Sequence, residues 1–231
     1  MINGANVSEY RFERKFFVTE LSRHEVESIV KLNSAVFSEI FYERIVNNIY
    51  FDTYNMKNLC DNLEGASDRV KVRIRWYDEL IGHIKKPVLE LKIKNGLLGK
   101  KISVPLKAFN LNADLKIQDI FKSNICLLES DLNGLLGLNP VLINKYSRKY
   151  FESRDKKFRI TLDFDQHFFQ VSKTGNLLLE KYNDAVSVIL EIKYNKEFDN
   201  EANRITSQFP FRITKSSKYV NGLSKIFQSN F

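Results

Sequence analysis

The chain has 231 residues, 43% of them hydrophobic, which is ample for one substantial core in one domain spanning residues 1–231. Its formal net charge of +8 favours an anionic partner without separating nucleic acid, a phosphorylated metabolite and an anionic membrane. Two cysteines, Cys60 and Cys126, far apart and in no CxxC spacing, exclude a disulfide framework and a thiolate metal site, and fit a reducing compartment.

From Met1 to Tyr10 the residues are polar where a signal peptide needs an apolar core, and no segment reaches the apolar length of a membrane span, so the chain reads as cytoplasmic. Period-two alternation begins at Tyr10 to Val18 and predicts a strand. Ser22 and Glu25 form a capping box, and Val26, Ile29 and Val30 supply the apolar stripe of a helix expected to pack outside a sheet. Further strands are predicted at Asn48 to Asp52, Val70 to Asp78, Val88 to Lys94 and Lys100 to Val104. The stretch from Phe109 to Pro140 mixes leucines with Asn and Gly and reads as short helices joining two runs of strands. Strands return at Leu142 to Glu152, Phe158 to Gln170 and Val186 to Tyr194. Phe198, Ala202, Ile205 and Phe209 repeat at helical spacing until Pro210 stops them, and a last helix is expected near Ser217. The count of strands suffices to close a barrel.

The polar set of these strands is repeatedly basic. Lys71, Arg73 and Arg75 share one face of their strand while Val70, Val72, Ile74 and Trp76 share the other. Glu90, Lys92 and Lys94 oppose Leu89, Leu91 and Ile93; Glu191 and Lys193 oppose Leu190 and Ile192. Arg11, Glu13 and Lys15 oppose Phe12 and Phe16, and Arg159, Thr161, Asp163 and Asp165 oppose Ile160, Leu162 and Phe164. One such strand is an ordinary solvated face. Five that turn the same charges inward need an anion, with helices covering the apolar outside. Guanidinium groups at Arg73, Arg75, Arg148 and Arg159 suit bidentate contacts to phosphate.

These segments resemble the triphosphate tunnel metalloenzymes, or CYTH-like proteins, and within them the VTC domain of polyphosphate polymerases. The resemblance is carried by Arg11-Phe12-Glu13-Arg14-Lys15, Ile49-Tyr50-Phe51-Asp52-Thr53, Lys71-Val72-Arg73-Ile74-Arg75-Trp76-Tyr77, Leu89-Glu90-Leu91-Lys92, Lys145-Tyr146-Ser147-Arg148, Arg159-Ile160-Thr161-Leu162-Asp163, Leu190-Glu191-Ile192-Lys193 and Lys215-Ser216-Ser217-Lys218-Tyr219, in that order. It implies a mainly β α+β fold: an eight-stranded antiparallel closed barrel with flanking helices, basic side chains gripping a triphosphate or polyphosphate, and a divalent metal on glutamate. Arg11 departs from the broader E-x-E-x-K pattern, which leaves Glu13 and Lys15 and agrees with the VTC branch.

By that resemblance Lys15, Arg73, Arg75, Lys92, Arg148, Arg159 and Lys193 grip phosphates, with Lys71 on the same face and Lys101 a weaker candidate. Lys215 and Lys218, three apart at a predicted helix start, would meet one anion together. Glu191, with Lys15, Arg73 and Arg75, is assigned to catalysis, and Glu191 is the first choice to hold Mg²⁺ or Mn²⁺, helped by Glu13 and Glu90. His24, His83 and His167 are scattered, and there is no P-loop. The implied activity is transfer of the γ-phosphoryl of ATP to a polyphosphate chain. A triphosphatase and a non-catalytic polyphosphate- or tripolyphosphate-binding module remain as alternatives. A nucleic-acid partner is disfavoured, and coupling of synthesis to transport would fall to a membrane-protein partner.

Overall fold

The computed structural model describes residues 6–8, 12–95, 98–112, 120, 124, 135, 137–171 and 178–228. Tyr10, Arg11, Cys126 and most of the short helices expected between Phe109 and Pro140 therefore lie outside the described residues.

The strands in chain order are β1 (Asn6–Ser8), β2 (Phe12–Val18), β3 (Ser38–Asp52), β4 (Arg69–Tyr77), β5 (Gly82–Ile84), β6 (Val88–Asn95), β7 (Leu98–Pro105), β8 (Phe109–Leu111), β9 (Asn139–Glu152), β10 (Arg159–Val171), β11 (Leu178–Asp184) and β12 (Val188–Tyr194). Among the described residues four α-helices accompany them: α1 (Arg23–Leu32), α2 (Lys57–Glu64), α3 (Asp199–Thr206) and α4 (Lys218–Gln228). Every predicted strand overlaps an observed one; Asp78, Phe158, Val186 and Ser187 fall just outside β4, β10 and β12. Phe109 opens the middle stretch with a short strand, β8, rather than a helix.

The large sheet is antiparallel, in the order β1-β7-β6-β4-β3-β9-β10-β12-β2, with β11 added beside β10. It is an open half-barrel, not the closed eight-stranded barrel expected. Among the described residues its edges β1 and β2 form no ladder with each other, and a side-chain bridge spans the seam: Lys92 Nζ on β6 donates to Glu13 Oε2 on β2 at 3.1 Å.

On the convex side the alternate residues of the strands build two apolar clusters. Around Ile74, Trp76, Leu89 and Val104 the cover comes from Leu106, Leu138 and the β5–β8 pair. Around Phe16, Ile160, Leu162 and Leu190 it comes from α1, through Val26 and Val30, and α3, through Ala202 and Ile205. The capping box forms as expected: Ser22 Oγ accepts from the Glu25 amide while the Glu25 carboxylate accepts from the Ser22 amide.

The last helix does not join this outer cover. α4 lies on the concave side, with Tyr219, Leu223 and Ile226 packed on Tyr50, Leu142 and Phe168. Gly222 permits the approach, since a Cβ there would stand 2.5 Å from a Phe168 ring carbon. Asp52 pins both α2 and α4: it accepts from the amides of Asn58 and Leu59, and from the Tyr219 hydroxyl. No described helix is long and apolar enough to cross a membrane.

Candidate functional site

Antiparallel pairing puts directly opposed residues on one face. Lys15 opposes Glu191, Glu191 opposes Thr161, and Asp163 opposes Arg148. Across the other half, Asn48 opposes Arg75 and Asn144, Tyr50 opposes Arg73, and Arg73 opposes Glu90. The concave face thus collects these alternate polar residues, with Leu142 and Phe168 as apolar members of the same face.

The charges join into a belt around that face. Glu90 is 2.6 Å from Arg73 Nη2 and 3.7 Å from Arg75 Nη1, and it also pairs with Lys101. Burial works against its ionisation, yet Arg73, Arg75 and Lys101 together hold the carboxyl far below the usual carboxylate range. Arg75 continues to the Asn48 side-chain oxygen at 3.0 Å and the Tyr146 hydroxyl at 3.4 Å. Arg148 grips Asp163 with Nε at 2.5 Å and Nη2 at 2.7 Å, and Lys218 from α4 bonds the same carboxylate. Asp163 is fully buried, and although desolvation opposes its ionisation, Arg148 and Lys218 bring its pKa down to about 2.

The belt closes through Glu13 and Glu191. Lys15 Nζ lies 2.8 Å from Glu13 and 3.2 Å from Glu191, Lys193 lies 2.6 Å from Glu191, and Lys92 returns from Glu13 to β6. Burial would raise the Glu191 carboxyl, but Lys193 and Lys15 outweigh it and keep the group well below the usual range. Lys15 is raised above the lysine range, because Glu191 and Glu13 overcome its own desolvation.

Two neighbouring carboxylates are a hard oxygen donor set, and Mg²⁺ is commonly held by one or two carboxylates with substrate phosphates completing its shell. Glu13 and Glu191 fit that requirement. Glu90 stands apart from them in its own grip of cations, and among the described residues no three His, Cys, Asp or Glu side chains converge.

Lys71 differs from its neighbours. Among the described residues it meets no carboxylate at ion-pair distance and donates instead to Ser217 Oγ at 2.9 Å, at the start of α4. Burial, reinforced by Lys15, Lys92, Arg69 and Arg73, pushes its pKa down to about 7. Two buried polar atoms on the same concave face, Thr161 Oγ1 and Asn144 Nδ2, also have no hydrogen-bond partner among the described residues.

The remaining predicted residues lie nearer the margins. Arg159 is at the rim, paired with Glu152 at 2.9 Å. Lys215 is exposed and precedes α4, which starts at Lys218, so the two lysines share no helix face. Asp165, expected on the inward face, leaves it because a bulge in β10 between Phe164 and His167 turns its backbone to φ +53°. A separate cleft of about 620 Å³, between Arg23, Glu43 and Asp165, contains none of the belt. The sequence reading did not assign Asp163, Asn48 or Asn144 to the site. The alternation placed Asp163 on the right face, but its partners come from β9 and α4, which no local spacing reveals.

Solved structures share this architecture. The PH1819 protein from Pyrococcus horikoshii OT3 aligns with a TM-score of 0.53 at 15% identity, covering 94% of this chain and 99% of that one. A provisionally assigned adenylate cyclase from Bacillus halodurans aligns at 0.52 and 15% identity, covering 94% and 97%. At such identity the likeness concerns the fold alone. No curated protein matches the sequence. The family model of the VTC domain matches residues 10–227.

Proposed function

Because the chain belongs to the VTC domain family, within the triphosphate tunnel superfamily, we propose that it is a metal-dependent polyphosphate polymerase working as one domain. It would move the γ-phosphoryl of ATP onto the end of a polyphosphate chain. The observation that carries this reading is the row of cations that runs beyond the belt. Lys71 is followed by Lys94, which lies in the field of Arg69, Lys92 and Lys215 and has its pKa lowered by burial and those charges. Among the described residues Arg69 meets no carboxylate at ion-pair distance and donates to the backbone carbonyl of Ala66. Three phosphates would be served by the belt; a continuation with so few carboxylates suits a longer polyanion.

Phosphoryl transfer needs positioning and charge neutralisation more than covalent chemistry. Arg73, Arg75, Arg148 and Lys218 would release part of their hold on Glu90 and Asp163 to meet phosphate oxygens, while those carboxylates keep the guanidinium planes oriented in its absence. Lys15 and Lys193 would flank the transferred group beside Glu191, and Lys71 would take up a proton as the anion arrives. The terminal oxygen of the acceptor chain attacks the γ-phosphorus, and the bond to the β,γ-bridging oxygen breaks to leave ADP. Mg²⁺ or Mn²⁺ held by Glu191 and Glu13 would supply additional neutralisation of the phosphate charge. Arg159 and Lys215 would act at the rims as outer contacts.

The test is to incubate purified protein with ATP and Mn²⁺ and to measure long-chain polyphosphate and free phosphate together, with Glu191→Gln and Arg73→Ala alongside. Long chains made by the wild type and lost in both variants are expected. Free phosphate without chains would instead make water the acceptor, and neither product despite tight tripolyphosphate binding would leave a binding module.

A further inference from the structure

Beyond the belt, on the side away from α4, four side chains that grip no carboxylate cluster at the open end of the channel. The Arg44 guanidinium carbon lies 4.6 Å from the Phe41 ring centroid, 5.6 Å from that of Tyr150 and 5.9 Å from that of Tyr77. Among the described residues Arg44 has no carboxylate at ion-pair distance. Phe41 and Tyr150 meet edge to face at 5.7 Å. Phe41 is 48% exposed and Tyr77 40%. A single exposed aromatic residue is ordinary, but two beside a guanidinium at a channel mouth present ring surface to solvent at one place.

Strand register fixes where this surface lies. Tyr150 follows Arg148 by two residues on the same face, Tyr77 follows Arg75 likewise, and Arg44 opposes Arg148. Two residues of strand advance about 7 Å, a distance that a ribose can span. Toward the other end of the concave face α4 packs on Tyr50, Leu142 and Phe168, and Lys71 and Lys94, which among the described residues meet no carboxylate at ion-pair distance, lie on that side.

We propose that Arg44, Phe41, Tyr77 and Tyr150 form a stacking platform for the base of a nucleoside triphosphate whose phosphates lie in the belt. The proposal rests on the functional reading above and extends it to the donor's base. Bases stack on aromatic rings and on guanidinium planes alike. The placement also separates the leaving nucleotide from the growing chain: the base and its diphosphate point to the open end while the acceptor approaches along the Lys71 row. An in-line displacement requires that opposition. Stacking discriminates by ring area, so purine nucleotides bind better than pyrimidine ones.

The experiment compares ATP and inorganic tripolyphosphate as titrants against wild type, a Phe41→Ala/Tyr77→Ala double variant, Tyr77→Phe, and Tyr42→Ala as a control whose side chain is 93% exposed and outside the platform. The double variant is expected to weaken ATP binding about tenfold or more while tripolyphosphate binding stays unchanged. Tyr77→Phe keeps the ATP affinity, because the ring and not the hydroxyl is used, and Tyr42→Ala changes neither ligand. Unchanged ATP affinity in the double variant overturns the platform, as does equal loss of both ligands, which would place the effect in the channel. A wild-type protein that binds neither ligand would overturn the functional reading first and the platform with it.

Discussion

Two regions share the concave face of the sheet and are held together by opposite means. In the belt, carboxylates are buried and each is matched by two or more cations, as Asp163 is by Arg148 and Lys218 and Glu90 by Arg73, Arg75 and Lys101. In the seat of α4, Tyr50, Leu142 and Phe168 meet Tyr219, Leu223 and Ile226 with almost no charge. The apolar seat owes its stability to area removed from water and leaves nothing unsatisfied. The belt balances charge against charge, so removing a carboxylate strands the cations gathered around it. The candidate site is therefore the part of the protein that is electrostatically most exacting, and the seat fixes the helix that delivers Lys218 to it.

The largest test of this contrast is Asp163→Ala. Loss of the carboxylate strands Arg148 and Lys218, and urea unfolding is expected to show a loss of about 3–5 kcal/mol; a change under 1 kcal/mol would mean that the belt is solvated and the contrast false. The same carboxyl has a pH signature. Its folded pKa of about 2 lies below the unfolded carboxylate value, so its contribution is present above about pH 4 and is lost as the pH falls toward 2.

Gly222→Ala probes the seat. The new methyl group collides with Phe168 and Leu142, and overpacking of this kind costs about 1–3 kcal/mol. Tripolyphosphate affinity should fall with it, because displacement of α4 withdraws Lys218 and Ser217. Preserved affinity in a destabilised protein would show that the two regions are independent.

Lys71, at the junction, gives the subtlest effect. With a pKa of about 7 it is mostly neutral at pH 8, and an arriving anion raises that value. Binding at pH 8 should thus take up a proton from solution, seen by calorimetry in buffers of different ionisation enthalpy. Affinity should weaken as the pH rises through 7. Lys71→Met is expected to remove most of the proton uptake, and an unaltered uptake would place the titrating group elsewhere. In the free protein the sign for stability is the reverse of that for Asp163: a lysine with a depressed folded pKa costs stability below about pH 7, and the cost is relieved as the pH rises toward the unfolded value.

The division between what was legible and what was not follows the range of the forces involved. Alternation along Val70 to Tyr77, Leu89 to Lys94 and Arg159 to Phe164 already separates a cationic face from an apolar one, because side-chain direction in a strand depends only on position parity. The capping box of α1 was equally visible, since its partners are three residues apart. Helix α2 was not, because its N-terminal amides are capped by Asp52 and its N-cap residue Met56 has no side-chain bond of its own. The first half of β3, Ser38–Arg44, has exposed residues in succession and so no alternation to read. The open seam, the bulge that expels Asp165, the inward placement of α4 and the matching of each carboxylate to its cations were decided by the tertiary structure alone. Those choices set residues far apart in sequence against one another, as Asp163 with Lys218 and Glu13 with Lys92, and parity along a single strand carries no information about which distant strand or helix will supply the opposite charge.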